Sequence, residues 1–273
     1  MHKVRVIPVL LLRGWGLEKS IRFSEPKYVG CPINAARVFN GKNVDELILL
    51  DIVATNERRG PQIEVVREIA SESFMPFTVG GGIRSVDMMW ELLQAGADRV
   101  VINTAAIERP ELIRQGADRF GSQCMVASID ARRTADGAFE VCTHAGMHPT
   151  GLDPVAVARH MQEMGAGEIF LTSIDRDGTM DGYDTGLIRA VADAVSIPVI
   201  ACGGAGSVAH LADAVYEGHA SAVAAGAFFL FYGRRRTVLI TYPKDEELLR
   251  HFRPGHIRPK DSEIAVDRNL ARL

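Results

Sequence analysis

VGGGIRS at 79–85 and ACGGAGS at 201–207 are two versions of one phrase, and their surroundings repeat with them. DELILLDI at 45–52 answers to GEIFLTSI at 167–174, and AGADRVVINTA at 95–105 answers to EGHASAVAAGA at 217–227. From 45 to 167, from 81 to 203 and from 96 to 218 the offset is 122 residues each time. Short β-rich runs at 4–11, 46–51, 77–79, 99–103, 125–130, 168–173, 199–202 and 222–225 alternate with amphipathic stretches such as 62–71, 86–95, 154–164 and 185–195, which predicts a parallel sheet covered by helices. Two four-strand, four-helix halves close into an eight-strand barrel, whereas an open sheet gives no reason for the symmetry. The sequence therefore predicts an α/β fold, a (β/α)8 TIM barrel with an internal half-barrel repeat, over residues 1–253 as a single domain. A last helix is expected at 244–251, and 254–273, charged and aperiodic, reads as a C-terminal tail or surface arm.

The chain's 273 residues suit one barrel, and 47% hydrophobic against 24% charged residues is the balance of a folded globular protein. A net charge of -3 lacks the basic footprint of a nucleic-acid binder. The opening MHKVRVIPVLLLRG is weighed as a leader, but Pro8 interrupts its apolar run and Arg13 ends it, so it reads as a buried first strand. With no run long enough to span a bilayer, the expectation is a cytoplasmic protein without a membrane partner. Cys31, Cys124, Cys142 and Cys202 form no CxxC pair and read as ordinary buried thiols.

A barrel of this kind carries its active site where the strands end. Gly80, Gly81 and Gly82 end the third strand, Gly203 and Gly204 the seventh, Asn103 and Thr104 the fourth, and Ala225 and Gly226 the eighth. Glycine lets a backbone approach an anion, so the duplication predicts a symmetric pair of phosphate cradles suited to a phosphorylated small molecule. The competing reading is that these glycines only make tight turns. Asp51, Asp130, Asp175 and Asp177 gather at the same rim, where burial can raise a carboxylate toward neutrality for acid–base work; Asp130, ending an apolar strand, is the best placed, and Asp175 reads as a loop cap. Lys19, after the first strand, is placed to reach over the mouth or to sit in solvent. His144 and His148 read as surface histidines that make no metal set, and no cofactor is called for.

IDARR at 129–133, LTSIDRDGTMDGYD at 171–184, FTVGGGIRS at 77–85, INTAA at 102–106 and IACGGAG at 200–206 together resemble HisF, the cyclase subunit of imidazole glycerol phosphate synthase, over residues 5–231. The resemblance implies a HisH-like glutaminase partner in a heterodimer, whose ammonia crosses the barrel to a bisphosphorylated substrate. It puts Asp130 at a catalytic position and Lys19 at a substrate-covering one. Asp51, Gly81, Gly82, Asn103, Thr104, Thr172, Asp177, Gly178, Gly203, Gly204, Ala225 and Gly226 then fall on or near its substrate- and phosphate-binding positions. Two departures matter: Leu11 stands where family cyclases carry an aspartate of the acid–base pair, and Gly226 stands where a serine is common. At the other end, Arg5, Glu46, Arg99 and Glu168 match the family's charged ammonia gate, with Arg99 in place of lysine. Segments 13–35 and 236–243 resemble HisF-like proteins of surface polysaccharide gene clusters, which act beside a glutaminase and a third, ATP-dependent amidotransferase in making acetamidino sugars. The alternatives are a working histidine-pathway cyclase, another phosphosugar barrel enzyme, and a non-catalytic phosphate-binding barrel partner.

Overall fold

A computed structural model of the chain describes residues 4–233, 235–253 and 256. Its centre is a closed ring of eight parallel strands: β1 (Arg5–Arg13), β2 (Leu47–Asp51), β3 (Phe77–Gly80), β4 (Arg99–Ile102), β5 (Met125–Arg133), β6 (Glu168–Ser173), β7 (Val199–Cys202) and β8 (Ala222–Ala225). Each pairs with the next and β8 pairs back to β1, with Arg5 beside Ala222 and Pro8 beside Ala225, so the TIM barrel is complete. Around it lie α1 (Pro32–Gly41), α2 (Ile63–Glu72), α3 (Val86–Gln94), α4 (Thr104–Glu108), α5 (Glu111–Phe120), α6 (Pro154–Glu163), α7 (Thr185–Ala192), α8 (Val208–Tyr216), α9 (Ala227–Leu230) and α10 (Asp245–His251). Among the described residues no helix is long and apolar enough to cross a membrane.

Alternate residues of each strand divide two cores, as the pleat requires. Val6, Leu10, Leu49, Val79, Val100, Ile129 and Leu171 face the helices, while Ile7, Val9, Ile48, Val101, Val126, Phe170, Ile200, Ala222 and Ala224 fill the barrel. The repeat is visible in three dimensions. Gly81 and Gly203 both have positive φ, and a Cβ on either would strike the carbonyl oxygen of the preceding strand's end, Asp51 at 2.3 Å and Ser173 at 2.6 Å. Asp51 and Ser173 are themselves offset by 122 residues. So are the caps: the Ser85 hydroxyl accepts from the Met88 N–H at the start of α3, and Ser207 does the same for His210 at the start of α8.

β1 extends two residues past the expected 4–11 because Leu12 and Arg13 pair with Leu17 and Gly16, turning the chain into an antiparallel ribbon, Gly16–Ile21 with Ser24–Gly30. β5 likewise runs on to Arg133 by pairing with Phe139–Thr143. Cys142 and Cys202 are buried as expected, but Cys31 and Cys124 are only half-buried, because both lie at the ends of strands and helices rather than inside them. The tail expected at 254–273 lies outside the described residues except for His256, whose carbonyl accepts the Val4 N–H at 2.8 Å.

Candidate functional site at the barrel mouth

The C-terminal ends of the strands enclose a cavity of about 410 Å³. Leu11, Lys19, Asp51, Gly81, Gly82, Asn103, Thr104, Asp130, Thr172, Asp177 and Gly226 all line it. Gly178, Gly203, Gly204 and Ala225 do not, and all four are buried. The symmetric pair of cradles expected from sequence is thus unequal in the folded chain. Gly204 is packed against the loop after β6, its carbonyl accepting the Gly182 N–H at 2.8 Å. The Gly178 carbonyl is held by the Arg236 guanidinium, which comes from the short ribbon Phe231–Tyr232 with Thr237–Val238.

Asp130, on the inward face of β5 beside Thr172, is half-buried and lines the cavity. Burial, then the Asp177 carboxylate, pushes its pKa from 3.8 up to about 7, against a hydrogen bond from Thr172. At neutral pH such a group both gives and takes protons, which is the property general acid–base chemistry needs. Leu11, four strands round the barrel, offers no second carboxylate. Cys202 completes the wall, but burial and Asp177 push its thiol up to about 12, so it is no nucleophile.

Lys19 is not a solvated loop lysine. It sits on the ribbon after β1, 4% exposed, with Nζ 2.6 Å from Asp177 Oδ2. The ribbon bends across the mouth: the Arg22 N–H donates to the Asp177 carbonyl at 2.8 Å, and Phe23 packs against Gly146. Asp51 is saturated. Arg59 grips it with two nitrogens at 2.6 and 3.0 Å, and the N–H groups of Val53 and Ala54 and the Gln62 amide complete its contacts. Asp175, expected as a cap of its own loop, instead accepts the Arg133 N–H at the end of β5 at 2.7 Å. The His144 and His148 rings meet at a tilt of 34° with their centres 4.3 Å apart. Among the described residues no group of three His, Cys, Asp or Glu side chains is placed to hold a metal.

Sequence reasoning missed Arg59 and Arg236, whose roles depend on loops meeting in space. It also missed Ser128, for which a signal existed: a serine two residues before Asp130 shares its inward face.

At the opposite end the four charged residues meet. Arg5 Nη1 lies 2.5 Å from Glu46 Oε2, and Arg5 Nη2 pairs with Glu168. Arg99 Nη1 lies 3.1 Å from Glu46 and 3.2 Å from Glu168. Each arginine thus bridges both glutamates in a closed ring, and Thr78 Oγ1 adds a 2.7 Å hydrogen bond to Glu46. Burial is the largest influence on Arg5 and would lower its pKa, but Glu168 and Glu46 more than reverse it. Burial likewise holds Glu168 above the ordinary carboxylate range despite Arg5.

A closed parallel barrel with a charged ring at one end and a cavity holding a perturbed aspartate at the other defines the class: a (β/α)8 barrel with its candidate site at the strands' C-terminal ends. The family model described as "histidine biosynthesis protein" matches residues 5–234, and the chain belongs to that family. It is 49% identical over 248 residues to a protein of Pseudomonas aeruginosa strain PAO1 provisionally named imidazole glycerol phosphate synthase subunit hisF2, with 91% of this chain and 99% of that protein covered.

Proposed function

We propose that this chain is the HisF-like subunit of a glutamine amidotransferase, which docks a HisH-like glutaminase on the face carrying the charged ring and conducts ammonia through the barrel. The observation that carries the reading is the ring itself. Arg5, Glu46, Arg99 and Glu168 close one end of an interior that is otherwise apolar up to the mouth. Neutral ammonia can cross such an interior and ammonium cannot, because an unpaired ion is costly to strip of water. The named role of the Pseudomonas relative supports the partner and a cytoplasmic setting.

Leu11 carries the second half of the reading. Without a carboxylate on β1, Asp130 lacks the partner that the family's cyclases use, and loss of one positioned acid–base group costs ~10²- to 10⁴-fold. The ammonia is then destined for another acceptor, the amidination of a surface polysaccharide sugar by a third, ATP-dependent amidotransferase, a destination supported by the resemblance of segments 13–35 and 236–243. The runner-up, a working imidazole glycerol phosphate cyclase, draws on Asp130, whose pKa of about 7 suits it to proton transfer.

Purified with a HisH-like protein from the same source, the chain is expected to form a complex and to raise glutamine hydrolysis. Absence of both defeats the conduit. With the histidine-pathway substrate and added ammonium salt, wild type is expected to turn over little, and Leu11→Asp to raise the rate by ~10²-fold or more while leaving glutaminase stimulation unchanged. A wild-type rate equal to an ordinary cyclase's promotes the runner-up.

A further inference from the structure

From the ring to the mouth, the inward faces of the strands change character on one side only. On β5 the inward residues run Val126, Ser128, Asp130, and on β6 they run Glu168, Phe170, Thr172, with Thr172 in register with Asp130. On β1 and β2 they stay apolar to the rim, Val9 and Leu11 lying beside Ile48 and Leu50. Ser128 is thus the first polar side chain met on β5 above Val126, level with Phe170. It is 6% exposed and lines the cavity, and its hydroxyl has no hydrogen-bond partner among the described residues. A buried hydroxyl left unpaired is uncommon in a native fold and points to a ligand.

The charges of the same wall leave room for one cation. Lys19 and Asp177 neutralise each other, Asp51 is held by Arg59, and Arg13 pairs with Glu18. Asp130 has no cation in contact among the described residues. The other titratable groups that bear on it are Cys202 and Cys142, whose thiols burial pushes up, to about 12 for Cys202, so both stay uncharged at neutral pH. Ionised Asp130 therefore leaves the wall with one uncompensated negative charge, and a carboxylate at position 11 would have made a second. Leucine there limits the demand to a single monovalent ion.

We propose that the mouth holds one ammonium ion between the Ser128 and Thr172 hydroxyls and the Asp130 carboxylate, and that Asp130 makes this ion by protonating ammonia as it leaves the apolar interior. The carboxyl O–H breaks, its proton joins the nitrogen lone pair, and an ammonium carboxylate remains, with nothing oxidised or reduced. Basicity sets the direction, because ammonia is a stronger base than a carboxylate whose pKa is about 7. Residues two apart on a strand lie ~7 Å from each other, a span that one ion hydrogen-bonded to both Ser128 and Asp130 bridges. Ammonium presents only N–H donors, and all three side chains offer oxygens that accept. When an acceptor's electrophile takes the nitrogen, the carboxylate recovers the proton from it. Until then the nitrogen is held as an ion at the exit and does not diffuse away as free ammonia.

This inference rests on the conduit reading, and its test uses the chain alone, so it fails separately from any result on complex formation or glutamine hydrolysis. The titration of Asp130 is followed by carboxyl NMR while ammonium chloride replaces tetramethylammonium chloride at constant ionic strength. Ammonium at ~0.3 M is expected to lower the Asp130 pKa by ~1 unit, as binding to the ionised form requires. Ser128→Ala is expected to cut that shift to less than half while leaving the value in tetramethylammonium within ~0.3 unit of wild type, which a serine that only packs the wall would not do. Absence of an ammonium shift in wild type, an equal shift from sodium, or a Ser128→Ala shift equal to wild type would each overturn the proposal. A chain that stimulates its glutaminase yet shows no shift keeps the conduit and loses this site.

Discussion

At the strands' N-terminal end, four charged side chains and a threonine satisfy one another: Glu46, 0% exposed, takes both arginines and Thr78. At the C-terminal end, Lys19 and Asp177 pair, Asp51 is saturated by Arg59, and Asp130 is left with Thr172 and a neighbour of like charge. One end has closed its electrostatics and the other has kept a group in reserve. Ion pairing suits the gate proposed for this end, which would have to shut without chemistry. An incompletely satisfied carboxyl suits a site that exchanges protons or receives a ligand. The same barrel interior separates them, so the two ends can be broken independently.

The largest effect on stability is expected at the ring. Glu46→Ala leaves two arginines facing each other with only Glu168 between them, and breaking a buried pair in this way costs ~3–5 kcal/mol. Urea denaturation at neutral pH is the measurement; a loss under ~1 kcal/mol would show that water already screens the ring. The mouth is expected to respond with the opposite sign. Folded Asp130 holds its proton up to about pH 7, whereas the unfolded chain releases it near 3.8, so the folded state binds more protons between these values. Its contribution to stability is greatest in acid and is lost as pH rises through that window. Asp130→Asn is therefore expected to stabilise the protein at pH ~8 by up to ~4 kcal/mol, and to have little effect at pH ~4. Melting temperatures of both forms across pH read this directly, and parallel curves would remove the perturbed pKa.

The smallest effect on stability is expected at Phe74, 88% exposed in the turn before β3, at the ring end. Phe74→Ser is expected to change folding free energy by less than ~0.5 kcal/mol and, under the proposed docking of a glutaminase on this end, to weaken its binding, since an exposed aromatic in an interface contributes through the partner. Unchanged partner affinity places Phe74 outside the contact.

The barrel was legible because its glycine turns are dictated by backbone geometry: residues 81 and 203 have to be glycine where a Cβ would meet a carbonyl, and such constraints survive in the letters. The ring members were legible through family resemblance, and their closure into a four-residue circuit confirms only that they meet. Lys19 was ambiguous because nothing in the run 14–31 announces a ribbon; the bulged pairing that buries it is set by contacts with the loop after β6. The inequality of the two cradles was invisible for a related reason. Symmetric letters at 81–82 and 203–204 meet asymmetric neighbours, and the loops that cover the second half are built around Gly182 and Arg236, far from the glycines in sequence.

The strand that carries Arg5 is braced from a distance. The Tyr242 hydroxyl donates to the Val6 carbonyl at 2.9 Å, and the His256 carbonyl takes the Val4 N–H at 2.8 Å, so the residues on either side of Arg5 are tied to chain made more than two hundred positions later. During synthesis, β1 emerges first and waits for β8 and these two contacts before it is held on both sides. Pairings of such long range form late, because their loop-closure entropy must be met before they stabilise anything. Assembly order thus places the bracing of the ring at the end of folding: a chain halted ahead of Tyr242 would hold Arg5 on a strand not yet braced.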